Sequence, residues 1–203
     1  LVKYGDPNGK YWMPAMSDVP LRGHHGHEWF WEPGDERLIL PLKSLMSKYY
    51  ASVGRNSTLI LGVTPDTSGL VPQVDLKRLK EFGDAIRLIY AHRVGHTRGT
   101  GKTLAISFKT ATTFNHVILQ EDIAQGERVR QYTVEALQSG AWKPIATGSC
   151  IGHKRIHKLT TPCTASKLRL CISKSTAEPI IKLLAVYNPP AAPTLPAKKP
   201  AVK

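Results

Sequence analysis

The chain has 203 residues and 41% hydrophobic content, enough to bury a core and to form one large domain or two small ones. No apolar run approaches the length of a bilayer-spanning helix, so no membrane span is predicted. The net charge of +13 is uneven: residues 1–90 carry 11 Lys and Arg against 10 Asp and Glu, whereas residues 91–188 carry 14 against 5. This difference favours two structural parts.

The first part has the pattern of two helices around one strand. From Pro41, apolar residues recur at the spacing of one helix face, and Gly54 follows as a helix stop. Residues 58–63 form a continuous apolar run, which is typical of a buried parallel strand. A second helical pattern follows, with an apolar face formed by Leu76, Leu79, Phe82 and Ile86. Helix, strand and helix together predict a piece of an α/β layer or barrel over residues 1–90.

Beyond Tyr90 the apolar period changes from about 3.6 residues to 2, which indicates strands. Seven short segments of this kind, separated by turn-forming residues, predict an all-β sandwich over residues 91–188. The segments are 103–109, 116–120, 129–137, 142–147, 152–159, 167–173 and 180–187. Residues 189–203 are rich in Pro, Ala and Lys, and we expect this tail to be disordered because it cannot bury enough apolar surface.

The segment from Trp12 to Glu36 is the densest cluster of functional side chains and is predicted to be a loop. It contains three Trp, three His and five carboxylates. Sugar sites combine aromatic platforms, which stack on apolar ring faces, with charged groups that bind hydroxyls and a carboxylic acid that protonates the leaving oxygen. The segment is therefore a candidate sugar site. The alternative is a surface loop whose tryptophans pack against the protein.

Other kinds of site have weaker support in the sequence. His24, His25 and His27 do not have a standard metal-ligand spacing, so no metal and no other cofactor is predicted. Basic residues spread along strands are more often a solvated face than a nucleic-acid site, and no nucleic-acid partner is predicted. Aromatic and basic residues of the second part could instead form a binding surface or be the solvent side of a strand; they are Trp142, His153, Lys154 and Arg155.

Several ordered segments give the sequence a family resemblance. In the first part they are 11–15, 18–22, 28–31, 49–56 and 59–66, and in the second part 117–123, 126–129, Trp142 and 151–156. Together they resemble the C-terminal portion of glycoside hydrolase family twenty-nine α-L-fucosidases. The resemblance implies the C-terminal part of a (β/α)8-type barrel over residues 1–90. It also implies a jelly-roll, galactose-binding-like β-sandwich over residues 91–188.

The resemblance also implies site residues. Fucosidases of this family retain anomeric configuration through an Asp nucleophile and a second carboxyl, and the resemblance places the nucleophile upstream of Leu1. Relatives commonly have Glu where this chain has Met16, so Glu28, from an apparent insertion, is the acid/base candidate. Glu32 and Asp18 are its alternatives. The candidate substrate-binding residues are Trp29, facing the C5 methyl of fucose, with Trp31, Arg22 and Trp12; Arg22 could instead order the loop.

These inferences predict an α-L-fucosidase that releases L-fucose from glycans, of which this chain is a segment that is inactive alone. The absence of a start Met or signal peptide at Leu1 agrees with a fragment or a processed chain. Its expected partners are a fucosylated glycan and the remainder of the barrel, and its expected location is extracytoplasmic. One alternative is a non-catalytic carbohydrate-binding or inactive hydrolase-like protein. A third is a basic protein that binds anionic polymers or membrane surfaces.

Overall fold

The computed structural model describes residues 15–23 and 30–190. Trp12, the three clustered histidines, Glu28, Trp29 and the tail from residue 191 lie outside the described residues. Within the described part, no helix has the length and hydropathy needed to cross a membrane.

The first part contains two parallel strands and two helices. Strand β1 (Ala15–Pro20) pairs in parallel with β2 (Ser57–Gly62), in register from Ala15 opposite Ser57 to Pro20 opposite Gly62. Helix α1 spans Leu42–Ala51, and α2 spans Gln73–Ala91. Each helix follows a proline, Pro41 or Pro72. Proline suits a helix start because its φ is already helical and its missing N–H has no intrahelical partner there.

Two predictions for this part need correction. Residues 15–20 are a strand and not a loop. Their exposure alternates with the two-residue period of a strand, but polar residues interrupt the apolar pattern by which the sequence would have indicated it. Strand β2 is parallel, as predicted, but it is not fully buried. Ile60 is 45% exposed, because helices cover only the opposite face of the pair within the described residues.

The second part is a six-stranded antiparallel sheet in the order β3-β8-β4-β7-β5-β6. Its strands are β3 (Arg93–Thr100), β4 (Thr103–Glu121), β5 (Val129–Gln138), β6 (Ala141–Gly148), β7 (Arg155–Ser175) and β8 (Ile180–Tyr187). Short 3-10 helices span Asp35–Leu38 and Ile123–Gln125. The mixed α/β and all-β composition that the sequence predicts is confirmed.

Strands β4 and β7 are long enough to contribute to two layers. The first half of β4 pairs with the second half of β7, and the second half of β4 pairs with the first half of β7 and with β8. Register shifts between Ser107 and Thr112 and between Phe114 and His116 separate the halves. The sheet therefore folds over itself in an arrangement consistent with a β-sandwich.

This folding explains how the predicted strands differ from the observed ones. Predicted segments 103–109 and 116–120 both lie within β4, and segments 152–159 and 167–173 fall largely within β7. The sequence analysis missed β3, whose polar, glycine-containing sequence RVGHTRGT lacks an apolar alternation. Among the described strands it is an edge strand that pairs with β8 alone, and edge strands often carry charged residues.

The buried residues form two hydrophobic clusters. The first lies between the sandwich layers and includes Phe114, Val117, Leu119, Val134 and Leu170. The second joins the helices to the outer face of the sandwich, and we call it the seam; its buried members are Leu21, Leu40, Leu45, Tyr49, Phe82, Ile118, Ile156, Ala185 and Tyr187. Consecutive residues of β4 thus alternate between the sandwich core and the seam.

Hydrogen bonds also cross the seam. The Tyr50 hydroxyl lies 2.8 Å from His116 Nε2. Asn56, at a positive φ of 66°, donates from Nδ2 to Glu127 (3.0 Å) and accepts the backbone N–H of His153 (2.6 Å). At the end of the sandwich, Pro189 is buried and its carbonyl accepts a hydrogen bond from Asn115, so this first residue of the predicted tail packs on the sandwich.

Candidate functional site

With residues 15–20 assigned to β1, the candidate loop begins at the carboxyl end of β1 and ends before α1. Leu21 follows β1 and accepts a hydrogen bond from the backbone N–H of Leu40 at 2.9 Å. Arg22 bridges to Ile39, and the N–H of Gly23 donates to the carbonyl of Leu38 at 3.1 Å. These contacts close the two stems of the loop against each other. The carboxyl end of a parallel strand is also where α/β folds carry their functional loops.

Arg22 is buried in the first stem and paired with an acid that the sequence analysis missed. Only 3% of Arg22 is exposed, and Asp75, in the first turn of α2, is fully buried. The guanidinium donates through Nε to both Asp75 oxygens (3.2 and 3.0 Å) and through Nη2 to Oδ1 (3.0 Å). Such a fork is a strong, geometrically specific ion pair. It favours the loop-ordering alternative for Arg22 over direct contact with a sugar.

Helix α2 holds the second stem as well. Arg78, one turn after Asp75, donates a hydrogen bond to the carbonyl of Leu40 and pairs with Glu81 at 2.9 Å. Both ends of the loop are therefore fixed to the same face of one helix. A proline followed three residues later by Asp at a helix start was the available signal for Asp75, but nothing in the sequence indicated its partner.

Two candidate residues lie in the returning half of the loop. Trp31 is partly buried, and its indole Nε1 is buried without a hydrogen-bond partner among the described residues. Glu32 is exposed, and its carbonyl accepts the backbone N–H of Asp35 at the start of a 3-10 turn. Phe30 is 83% exposed. This half therefore presents aromatic and acidic side chains near solvent.

Asp18 lies apart from the loop stems. It is exposed in the middle of β1, opposite Ile60, and shares its face of the strand pair with Met16, which is 67% exposed. Val19 lies on the opposite face, in contact with the seam. Asp18 is therefore exposed, whereas Arg22, four residues later, is buried in its pair with Asp75.

Three candidates, Trp12, Glu28 and Trp29, are outside the described residues, and their roles stay predictions. In the described ranges, no three His, Cys, Asp or Glu side chains are grouped as they would be around a metal ion. A cleft of about 420 Å³ lies at the helix side of the stems. Its lining includes Val19, Pro20, Ser44 and Lys48 but not Asp18.

The chain is similar to plant and bacterial proteins. It is 27% identical to α-L-fucosidase 1 of Arabidopsis thaliana over 90% of this chain and 42% of that protein. Among solved structures, a protein of Bacteroides thetaiotaomicron named provisionally as an α-L-fucosidase has a TM-score of 0.87 at 49% identity. The match covers 92% of this chain and 43% of that one. No family model matches the sequence.

A glycoside hydrolase family twenty-nine member from a rumen bacterium has a TM-score of 0.82 at 32% identity, covering 97% of this chain and 36% of that one. The predicted resemblance to family twenty-nine α-L-fucosidases is confirmed. A Ruminococcus gnavus fucosidase of the same family, solved with fucose, shares the fold at 24% identity, with a TM-score of 0.76 over 90% of this chain and 43% of that one. The chain therefore spans less than half the length of these fucosidases.

Proposed function

We propose that the complete protein is a retaining α-L-fucosidase and that this chain supplies its acid/base loop, an aromatic subsite and an accessory β-sandwich. The observation that carries the proposal is the similarity to α-L-fucosidases and to a family twenty-nine member over nine tenths or more of the chain. The substrate would be a fucosylated glycan. The protein itself would be extracytoplasmic. The Asp nucleophile and the remainder of the barrel would belong to a segment equivalent to the portion of these relatives that this chain does not cover.

The geometry of the first part supports assignment to a (β/α)8-type barrel. Its two strands are parallel, and both helices lie against one face of the pair. In such barrels the helices are outside and the other strand face lines the interior. Met16, Asp18 and Ile60 would then face the barrel interior, while the loop stems open at the catalytic end. Further strands would cover the exposed apolar side chains of β1 and β2. The two-layered second part would correspond to the galactose-binding-like jelly roll.

The loop stems support Glu28 as the acid/base candidate. Retaining glycosidases need their two carboxyl groups about 5–5.5 Å apart, which requires a firmly held loop. The Arg22–Asp75 pair and the Arg78 contact fix both stems, and Glu28 lies between those stems in sequence. A carboxyl desolvated beside Trp29 and Trp31 would favour its protonated form, as a general acid requires. Glu32 and Asp18 stay as alternatives.

The first experiment measures fucose release from an aryl α-L-fucoside by this chain alone and by the chain co-expressed with an upstream family segment. We expect activity only in the second sample. Activity of the chain alone would contradict the division of catalytic groups between the two segments. Fucose binding without hydrolysis in both samples would favour the binding-protein alternative, which Met16 supports because its thioether cannot transfer a proton.

A second experiment tests the acid/base assignment in the active, complemented protein. We expect Glu28→Gln to lower kcat for an unactivated fucoside by about 100-fold or more, and to affect a substrate with a good leaving group much less. Glu32→Gln and Asp18→Asn are the matched controls, because each makes the same chemical change at an alternative position. An unchanged rate for Glu28→Gln together with a large loss for either control would transfer the role to that residue.

A further inference from the structure

One outer face of the sandwich brings an aromatic, a basic and an acidic side chain together. In β5, Val134 and Ala136 point into the core, so Glu135 between them points outward. Arg169 of β7 lies directly opposite Glu135. Trp142 of β6 lies opposite Leu137, two residues along β5 from Glu135. The three side chains thus share a surface formed by neighbouring strands.

Arg169 is held in a fixed position on this surface. Its Nε donates to Glu135 Oε2 at 2.6 Å, and its guanidinium carbon lies 4.1 Å from the centroid of the Trp142 ring. Arg169 is 33% exposed and Glu135 is 21% exposed. Among the described residues, neither terminal NH₂ group of Arg169 has a hydrogen-bond partner. The two terminal NH₂ groups can therefore donate in parallel to a planar anion. Because the side chain is already ordered, binding an anion would cost little further side-chain entropy.

The surroundings of Arg169 are open and basic. Lys167 is exposed on the same face, about 7 Å away along β7 because it is two residues earlier. On the other side, β4 places only the small, exposed Ala105 and Ser107 opposite Arg169 and Lys167. The result is a low shelf, with two cations along it and Trp142 at one border. We call these residues the Trp142–Arg169 shelf.

The charge of the sandwich indicates what the shelf would bind. Only five acidic residues stand against 14 basic ones in residues 91–188. Glu121 is buried against backbone N–H groups, and Glu135 is already paired with Arg169. Basic side chains that only face solvent do not need to be ordered. Ordering a long side chain in an exposed ion pair also adds little to the stability of the fold. An ordered fork beside an aromatic ring matches a carboxylate carried on a sugar ring.

We propose that the Trp142–Arg169 shelf binds an acidic polysaccharide whose carboxylates contact Arg169 and Lys167 and whose sugar ring packs against Trp142. The inference rests on the proposed function, because it extends glycan recognition by the complete protein to an acidic chain outside the catalytic loop. Binding is measured without fucose release. A failed hydrolysis assay and a failed binding assay are therefore separate results.

The test is calorimetric titration of the 203-residue chain with polygalacturonate and with its fully methyl-esterified form, which keeps the sugar but removes the charge. We expect binding of the free acid only, weakened by added salt. Arg169→Ala and Trp142→Ala should each weaken binding about tenfold. Trp142→Phe, which keeps an aromatic ring, should stay within about threefold of the parent protein. Arg169→Lys should resemble Arg169→Ala because an ammonium cannot form the fork.

Arg98→Ala is the matched control, since it removes one exposed positive charge from β3 at the far edge of the sheet. We expect it to weaken binding less than about twofold. An equal loss for Arg98→Ala and Arg169→Ala would mean diffuse attraction and would overturn the proposal. Unchanged binding by both Trp142→Ala and Arg169→Ala, or no binding by the parent chain, would do the same.

Other polyanions provide the last comparison. Vesicles that contain phosphatidylserine and duplex DNA are titrated under the same conditions. Tighter binding of either one, with the same dependence on Trp142 and Arg169, would replace the acidic polysaccharide by a membrane or a nucleic acid and would overturn the proposal. Thermal unfolding of each variant identifies folding defects. If an alanine variant is misfolded, Trp142→Phe and Arg169→Lys still test the aromatic ring and the guanidinium fork, because neither truncates its side chain to Ala.

Discussion

At the residue scale, Glu121 shows how a buried carboxylate can organise three backbone segments. It is 2% exposed. Its Oε1 accepts the N–H groups of Arg128 (2.8 Å) and Val129 (3.0 Å), and its Oε2 accepts that of Gly152 (2.8 Å). Buried charges are tolerated when hydrogen bonds replace the lost water. Glu121 therefore fixes the turn before β5 to the loop before β7.

We expect Glu121→Gln to lower the free energy of unfolding by about 2–4 kcal/mol, because an amide can accept with one oxygen only and its NH₂ group would face a backbone N–H. Urea denaturation measures the change. Asp122→Asn is the control, as it makes the same change at the next residue, and should alter stability by about 0.5 kcal/mol or less. Equal losses for the two variants would contradict the anchoring role.

His116 is a second residue whose environment predicts a measurable effect. Its Nδ1 lies 2.6 Å from Asn115 Oδ1, an acceptor, so Nδ1 carries the proton and Nε2 accepts the Tyr50 hydroxyl. Burial, followed by the positive charge of Lys158, lowers the pKa of His116 to about 4. Lys158 lies over the ring of Tyr50, whose hydroxyl contacts His116.

A lowered histidine pKa means that the folded state binds the proton less well than the unfolded state. The contribution of neutral His116 to stability is therefore fully present above about pH 6.5 and is lost as the pH falls towards about 4. We expect urea midpoints to decline across this range, and less steeply for His116→Gln. His157, whose pKa burial also lowers to about 4, should retain the rest of the slope. Identical slopes for the parent and His116→Gln would contradict the assignment.

At the scale of elements, α2 connects the candidate loop to the rest of the protein. Its first turn provides Asp75 to Arg22, and its exposed middle provides Asp84 to Lys80 and Arg87. The two acids make the same kind of contact but differ in burial, since Asp75 is fully buried and Asp84 is 49% exposed. Burial decides how much each contact matters.

We expect Asp75→Asn to cost about 3–5 kcal/mol, because it leaves the Arg22 guanidinium buried without a counter-charge. Asp84→Asn, on the same helix, should cost about 0.5 kcal/mol or less, as exposed ion pairs contribute little. Denaturant unfolding of both variants checks the difference. Similar losses of unfolding free energy for the two variants would contradict the special role of the buried pair, because removing any acid from the helix would then have the same effect.

Glycines in two elements should respond to alanine in opposite directions. Gly148, at the end of β6, lies against the Tyr132 ring, and a Cβ there would overlap the phenol oxygen. Gly83 lies inside α2, and a Cβ there would be 3.6 Å from its nearest neighbour, Arg87. We expect Gly148→Ala to destabilise by about 1–3 kcal/mol and Gly83→Ala to stabilise by about 0.5–1 kcal/mol. Thermal melts of both variants test the pair of signs.

At the scale of the whole molecule, the seam determines whether the two parts unfold together. Ile118 is fully buried in the seam, while Val117 and Leu119 beside it are fully buried in the sandwich core. One layer of the sandwich is therefore covered on both faces. The predicted division at residue 90 stays a prediction, but the contacts across it are apolar and extensive.

We expect one cooperative unfolding transition for the chain, seen alike by fluorescence and by far-ultraviolet circular dichroism. Ile118→Ala should lower stability by about 2–5 kcal/mol, the usual cost of a cavity at a fully buried position. It should also separate the transitions, because it weakens the contact between the two parts. Two transitions in the parent chain would contradict the seam as a stabilising interface.

The sequence alone determined the features that depend on residues close along the chain. Helical spacing predicted α1 and α2, alternation indicated the strands of the second part, and ordered segments indicated the resemblance to family twenty-nine. The continuous run Val117-Ile118-Leu119 even contained a signal of burial on both strand faces. What only the tertiary structure decided involves residues far apart. Arg22 and Asp75 are separated by 53 positions, and the joining of predicted strands into β4 and β7 follows from pairing between the layers. Local periodicity carries no information about such partners, because they are selected by the packing of the whole chain.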